Sequence, residues 1–411
     1  MDVWVLLILF LEAAFAFFLL WREKLLDRLP MLLLAAVLIL GAFALRIPPL
    51  DYETLDYQNF LARWAAFFRE NGGFLAMDKQ VGNYNIPYLY FLALFSYIPI
   101  KDLYLIKLLS ILFDVLLAWS ALRLCRRFTQ SQGRLFGCFF VVLYLPTVFL
   151  NAAVWSQCDS IYAALAILGV ALALEDRPVP SMICIALAFG IKLQAVFLMP
   201  VYAVLWIYKK FNWKHFLIFP LSYVLLVLPA VLLGRPFLET LTLYFSQTGS
   251  IGSGLNYNSP SIFAVFTDIK DAKLASTVAI ILAFLYVLNL LAVAWVNRKA
   301  LNDRSILAFS LLFVVGIPFL LPHMHERYFY MADILSVVLA FAAPLFSPAA
   351  LLAQFASLLG YHAYLKRRYL LLMNNGAAAL ILVLALALIY LLMSLNPDAA
   401  PKARPRKKAL H

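Results

Sequence analysis

The stretch Leu50-Asp-Tyr-Glu-Thr-Leu-Asp-Tyr-Gln-Asn-Phe-Leu-Ala-Arg-Trp64 opens the longest polar interruption in the first half of an otherwise apolar chain. Asp51, Glu53 and Asp56 lie close together among Tyr52, Tyr57, Phe60 and Trp64. Asp56, Phe60 and Leu61 fall at i, i+4 and i+5, with Trp64 a further turn on. The spacing predicts a helix that sets Asp56 beside an aromatic face suited to a membrane surface. The rest of the chain reads as a scaffold that holds these acids at the rim of a lipid-lined cavity.

Working outward, the 411 residues are 65% hydrophobic and 13% charged, with a mean hydropathy of +0.90. A soluble core has no need of so much apolar surface, so the class is all-α polytopic membrane protein. The net charge of +12 invites nucleic acid as a partner. The placement of the charges in short loops and a tail argues against it and for membrane lipid instead. Cys125, Cys138, Cys158 and Cys184 are scattered, without a Cys-x-x-Cys pair, and read as small apolar core residues.

Apolar runs predict about thirteen membrane segments by span length. They cover roughly 3–21, 30–46, 103–122, 134–150, 157–174, 179–191, 195–208, 215–233, 274–296, 305–322, 328–346, 349–364 and 372–394. The run Ile86–Ile100 is short and bounded by Pro87 and Pro99, which suits an interfacial or re-entrant helix. The N-terminus is acidic and its cations follow the first apolar run, so a retained helix with its N-terminus outside is expected. That topology puts Arg22, Lys24, Arg28, Arg123, Arg126, Arg127, Arg134, Arg177, Lys209, Lys210, Lys214, Arg298, Lys299 and Arg304 inside, with the basic tail. Lys366, Arg367 and Arg368 break the rule and fall outside. The organisation expected is an extra N-terminal helix over 1–29 and a core over 30–346 with outer loops 47–102 and 234–273. C-terminal helices over 347–395 and a basic cytoplasmic tail over 396–411 complete it. A multi-pass protein of a bacterial plasma membrane fits, with the C-terminus cytoplasmic.

This topology gathers the unusual polar residues on the outer side. They are Asp51, Glu53 and Asp56; Trp155-Ser-Gln-Cys-Asp159; Lys192 and Gln194; Asn256, Asn258 and Ser259; and His323-Met-His-Glu-Arg-Tyr328. Polar groups at membrane depth are costly, so their convergence marks a site. Each also has a plainer reading. Asp51 and Glu53 suit a loop, Asp159 suits a wetted helix end, and Lys192 and Arg327 suit headgroup anchors. His323, His325 and Glu326 resemble metal ligands, but no further Cys or His lies nearby to complete a zinc site. Lys107 and Asp114, seven residues apart on one helix face, read as a structural pair or helix contact. No Gly-rich nucleotide-binding motif is present.

One acid among several cations suits displacement of a phosphate. The carboxylate takes the proton of an attacking hydroxyl, and Lys and Arg neutralise the leaving phosphate. A sugar on polyprenyl phosphate fits, since a carboxylate also favours an oxocarbenium-like state. Tyr57, Trp64, Tyr84 and Trp155 offer flat faces to sugar rings or isoprenes. A transporter or flippase of a lipid-linked saccharide would use the same cations without bond change. No internal repeat is visible in its favour. A structural subunit would leave the outer acids without a task.

The chain resembles the GT-C superfamily of membrane glycosyltransferases over roughly residues 45–335. It is most similar to bacterial relatives of the dolichol-pathway glucosyl- and mannosyltransferases. The resemblance rests on an ordered set: Asp56-Tyr-x-x-Phe-Leu-x-x-Trp64, Gly72-Gly73-Phe74, Tyr84-Asn-x-Pro-Tyr-Leu89, Ile106-Lys107 with Phe113-Asp114, Trp155-Ser-Gln-x-Asp159, Gly190-Ile-Lys-Leu-Gln194 and Met324-His-Glu-Arg-Tyr328. It implies a GT-C-like fold whose long first outer loop carries interfacial helices. It implies Asp56 as general base, with Asp51 the second choice. Lys192 and Arg327 match positions near the lipid phosphate, and His325, Gln157 and Asp159 match the pocket lining. Glu53, Trp64, Tyr84, Gln194, His323 and Glu326 are further substrate-binding candidates. The resemblance implies inverting transfer of a hexose, mannose or glucose, from a polyprenyl-phosphate sugar to a glycan or glycolipid acceptor of the cell envelope. Relatives with Asp-x-Asp in outer loops use a divalent cation. Here only Asp51-Tyr-Glu53 stands, so a cation is possible and no metal ligand is assigned.

Overall fold

The structure is a computed structural model that describes residues 2–244 and 254–396. It is helical almost throughout, with one two-residue strand pair among the described residues. Eight described helices are long and apolar enough to cross a membrane: Val3–Arg22, Leu29–Asp51, Asp102–Cys125, Trp213–Leu232, Ala272–Val296, Asp303–Leu320, Pro344–Lys366 and Met373–Leu395. The all-α polytopic class stands. The remaining five expected segments are helical as well, but built differently.

The segment expected over 134–150 is two helices, Gln132–Tyr144 and Pro146–Val154, bent by 44°. Pro146 lacks an amide hydrogen and forces Leu145 out of the helical region, to ψ 128°. Asp159–Leu174, Pro178–Ile191, Leu193–Ile207 and Tyr330–Ala342 are helices shorter than a full span. The first and last of these are buried along nearly their whole length. Broken helices and irregular backbone are tolerated at membrane depth where protein surrounds them or where they line a wet cavity. The breaks here carry Trp155–Asp159, Lys192 and His323–Arg327.

Asp102–Cys125 is the central post, with 72% of its most apolar stretch buried. It packs against Val3–Arg22, Gln132–Tyr144, Asp159–Leu174 and Tyr330–Ala342. Trp213–Leu232 and Ala272–Val296 are peripheral and show Leu221, Leu225, Ile281 and Phe284 to the outside, as lipid-facing helices do.

Lys107 and Asp114 do not pair with each other. Seven residues are about 10 Å of rise, and each finds a nearer partner. Asp114 Oδ2 accepts from Arg46 Nε and Nη2 at 3.1 and 2.9 Å. Lys107 Nζ donates to the carbonyls of Pro49, Leu50 and Tyr52 at 2.6, 3.1 and 2.7 Å. Both contacts are structural, and the second ties the start of the first long loop to the central post.

That loop carries short helical pieces, none long enough to span: Tyr57–Leu61, Ala62–Glu70, Gly73–Asp78 and Ile86–Phe95. Arg69 secures them by pairing with Asp102 at 2.5 Å and donating to the carbonyls of Phe95 and Ser96. Gly82, at φ 66°, lies where any side chain would collide with Trp64. The opposite end of the molecule is held by ion pairs: Arg126–Glu23, Arg123–Glu175, Arg127–Asp303 and Lys210–Asp176. The tail expected over 396–411 lies, apart from Asn396, outside the described residues, as does 245–253 of the second outer loop.

Candidate active site

Asp56 sits in the first turn of a helix that opens at Leu55. The next turn, Tyr57–Leu61, is π-helical, and so is Leu150–Val154, just before Trp155. Such turns rotate the helix face and often mark functional sites. Ser156 follows in the left-handed region at φ 66°, a strained state for serine. Together these features aim Trp155 and Gln157 at one carboxylate. Trp155 Nε1 and Gln157 Nε2 donate to Asp56 Oδ2 at 2.9 and 3.0 Å. Tyr364 Oη donates to Oδ1 at 2.6 Å and stacks on Trp155, with ring centres 4.1 Å apart. Thr54 Oγ1 donates to the Trp155 carbonyl at 3.1 Å and fixes the backbone beneath.

Asp159 organises the cations. Asn151 Nδ2 donates to its Oδ2 at 2.7 Å and Lys192 Nζ pairs with its Oδ1. Arg327 Nε lies 3.8 Å from Oδ2. Lys192 arrives because Pro178–Ile191 stops there and the backbone becomes extended, at φ −152° and ψ 134°. Arg327 also pairs with Glu326 at 2.9 Å and lies over the Trp155 ring at 5.3 Å. A shared carboxylate lets two cations stand side by side, because it offsets their mutual repulsion. Burial pushes the Glu326 carboxyl above its ordinary range, with Arg327 opposing. Tyr84 donates to Gln157 Oε1 at 3.1 Å, and its phenol is pushed well up by burial.

His325 is carried by the strand pair Asn256–Tyr257 and Met324–His325. Its ring stacks on Tyr257, centres 4.7 Å apart. Burial, then repulsion from Arg327, lowers its pKa to about 3, so the ring is neutral near pH 7. His323 turns away from the acids, with Nδ1 2.7 Å from the Gly254 carbonyl.

These groups enclose a cavity of about 800 Å³. Of the residues expected at the site, Asp56, Trp64, Tyr84, Gln157, Lys192, Gln194, His323, His325, Glu326 and Arg327 line it. Asp159 lies behind them, holding Lys192. Asp51 and Glu53 are not brought to it: Asp51 accepts from Tyr104, and Glu53 pairs with Lys101 at 2.7 Å. Two important residues escaped the sequence reading. Asn151 sits in an apolar run. Tyr364 lies on the Pro348–Lys366 helix, where its one signal, an aromatic near a helix end, is also that of an interface belt. No group of three His, Cys, Asp or Glu placed to hold a metal ion occurs among the described residues.

An acid with fixed orientation faces two paired cations across a cavity with apolar and aromatic walls. That arrangement suits transfer of a group from a phosphate. The sequence profile of Glycosyltransferase family 87 matches residues 83–322. The chain belongs to glycosyltransferase family 87. As a member of family 87, a GT-C-type family, it is a membrane glycosyltransferase. The matched region holds Tyr84, Gln157, Asp159, Lys192 and Gln194, and leaves Asp56 and His323–Arg327 outside. Neither the curated proteins nor the solved structures compared with the chain gave a match.

Proposed function

We propose that this family 87 member moves a hexose, mannose or glucose, from a polyprenyl-phosphate sugar to an acceptor hydroxyl, with inversion at the anomeric carbon. The observation that carries the reading is Asp56, held by three donors in the cavity that also presents Lys192 and Arg327. The acceptor hydroxyl gives its proton to the Asp56 carboxylate while its oxygen bonds to the anomeric carbon. The bond from that carbon to the phosphate oxygen breaks, and polyprenyl phosphate departs with the electron pair. Lys192 and Arg327 stabilise the charge on the departing phosphate. Neutral His325 contributes a hydrogen bond without adding charge. Phe60, Val196 and Leu321 give the cavity an apolar side suited to the first isoprenes. Asp51 and Glu53 are engaged by Tyr104 and Lys101, so no step is assigned to a bound cation.

The cavity lies at the end of the molecule opposite Arg123, Arg126 and Arg127. With those cations inside, the reaction takes place at the outer face of a cell membrane, on a glycan or glycolipid of the envelope. The test uses purified protein in lipid vesicles with radiolabelled polyprenyl-phosphate hexoses, with and without EDTA. Release of polyprenyl phosphate with label moved to acceptor is the expected result. Intact donor that merely crosses the bilayer would make the chain a transporter and overturn the reading.

A further inference from the structure

Lys366, Arg367 and Arg368 stand on the same end as Asp56, against the charge distribution of the rest of the chain. The Pro348–Lys366 helix stops there, and Arg367 takes the left-handed region at φ 53°. Among the described residues neither Arg367 nor Arg368 makes a side-chain hydrogen bond or an ion pair. Both line a second cavity, of about 540 Å³, which shares Tyr364 and Asn258 with the first. Tyr369 Oη donates to Asn258 Oδ1 at 2.6 Å and closes part of the dividing wall. Glu53 also lines this second cavity, but its charge is met by Lys101. Tyr364, in the same wall, is the residue that bonds Asp56 Oδ1.

The geometry points to the second cavity as the acceptor's binding site, specific for an acceptor that carries a phosphate away from its reacting hydroxyl. The assignment rests on the glycosyl-transfer reading only for the word acceptor; the anion site stands on Arg367 and Arg368 themselves. Two consecutive arginines that line one cavity, without a side-chain partner among the described residues, suit phosphate oxygens, which guanidinium groups bind in paired hydrogen bonds. The donor phosphate is served by Lys192 and Arg327 in the other cavity, so a second cationic pair implies a second anion. A bound acceptor would lie between Arg367–Arg368 and Tyr364, with its hydroxyl reaching Asp56 where the phenol now sits. Leu55 and Leu365 give the cavity an apolar side, so a lipid headgroup and a soluble phosphorylated saccharide share the required chemistry.

Binding is measured without turnover on the full-length protein in detergent. The probes are phosphatidylglycerol, phosphatidylcholine and glycerol 1-phosphate. The variants are R367Q/R368Q, R367K/R368K and, from the opposite end, R298Q/K299Q. The expected result is that R367Q/R368Q weakens phosphate-probe binding at least about tenfold, that the lysine pair recovers much of it, and that R298Q/K299Q leaves it unchanged. Binding of phosphatidylglycerol alone identifies a lipid-borne phosphate, and binding of glycerol 1-phosphate a soluble one. No binding of either probe, equal binding of phosphatidylcholine, or an equal loss in R298Q/K299Q overturns the proposal. Failure of hexose transfer in wild type would count against the glycosyl-transfer reading and leave this binding result standing.

Discussion

Asp56 accepts three hydrogen bonds, and on the proposed mechanism the one from Tyr364 occupies the oxygen that the acceptor hydroxyl would reach. On that proposal the phenol would have to give way to the acceptor. Tyr364→Phe removes a hydrogen bond to a charged group, worth about 1.5–3 kcal/mol. Steady-state kinetics should show the acceptor KM falling by several-fold, with the donor KM little changed. A raised acceptor KM would mean that the phenol helps to bind the acceptor. His325 gives a pH signature. Its pKa falls from the ordinary 6.5 to about 3 on folding, so the unfolded chain takes up its proton first. The stability that His325 contributes is present above pH 6.5 and lost as pH falls toward 3. The side chain is 38% exposed, which keeps the effect small. His325→Gln should narrow the gap between melting temperatures at pH 7 and pH 5; an unchanged gap would mean that the ring titrates normally. Asp56, Lys192 and Arg327 were legible in the sequence because a charge in an apolar chain has few reasons to exist. Tyr364 and Asn151 were not, because a tyrosine at a helix end and an asparagine in a greasy run have many.

Among elements, the decisive ones are the breaks. Apolar runs located the thirteen expected helical segments, but an apolar run of sixteen residues looks the same whether lipid or protein surrounds it. The distinction between full spans and short buried helices therefore emerged only from packing. The π-turns at Tyr57–Leu61 and Leu150–Val154 have no signature in composition, yet they turn Asp56 and Trp155 toward each other. Lys107 is the element-scale test. Its ammonium group serves three carbonyls of the 49–52 turn, which leads directly to Asp56. Lys107→Met strands those carbonyls, at about 1–3 kcal/mol for each buried group left unpaired. Hydrogen exchange should accelerate at the amides from Leu50 to Tyr57 and remain slow in Asp102–Cys125. Unaltered exchange at Leu50–Tyr57 would show that the loop is held by other contacts.

At the scale of the whole molecule, the two ends differ in chemistry. One gathers Glu23, Glu175 and Asp303 with Arg123, Arg126 and Arg127 at the end of Asp102–Cys125; the other holds both cavities. The sequence separated these ends through its short basic loops, and the fold placed them apart. What it did not reveal is that the C-terminal Pro348–Lys366 helix brings Tyr364 into the cavity expected to lie in the preceding core, since that needs the packing of Tyr364 on Trp155. Orientation is checked with cysteine labels, helped by the burial of Cys125, Cys138, Cys158 and Cys184. In intact cells an impermeant maleimide should label Lys79→Cys and spare Lys299→Cys, and the reverse pattern would place the cavities inside. The most direct test of the central claim compares wild type with Asp56→Asn in the vesicle assay. Asp56→Asn should express and fold normally, bind the polyprenyl-phosphate hexose and release no polyprenyl phosphate. Release at the wild-type rate would contradict Asp56 as the base.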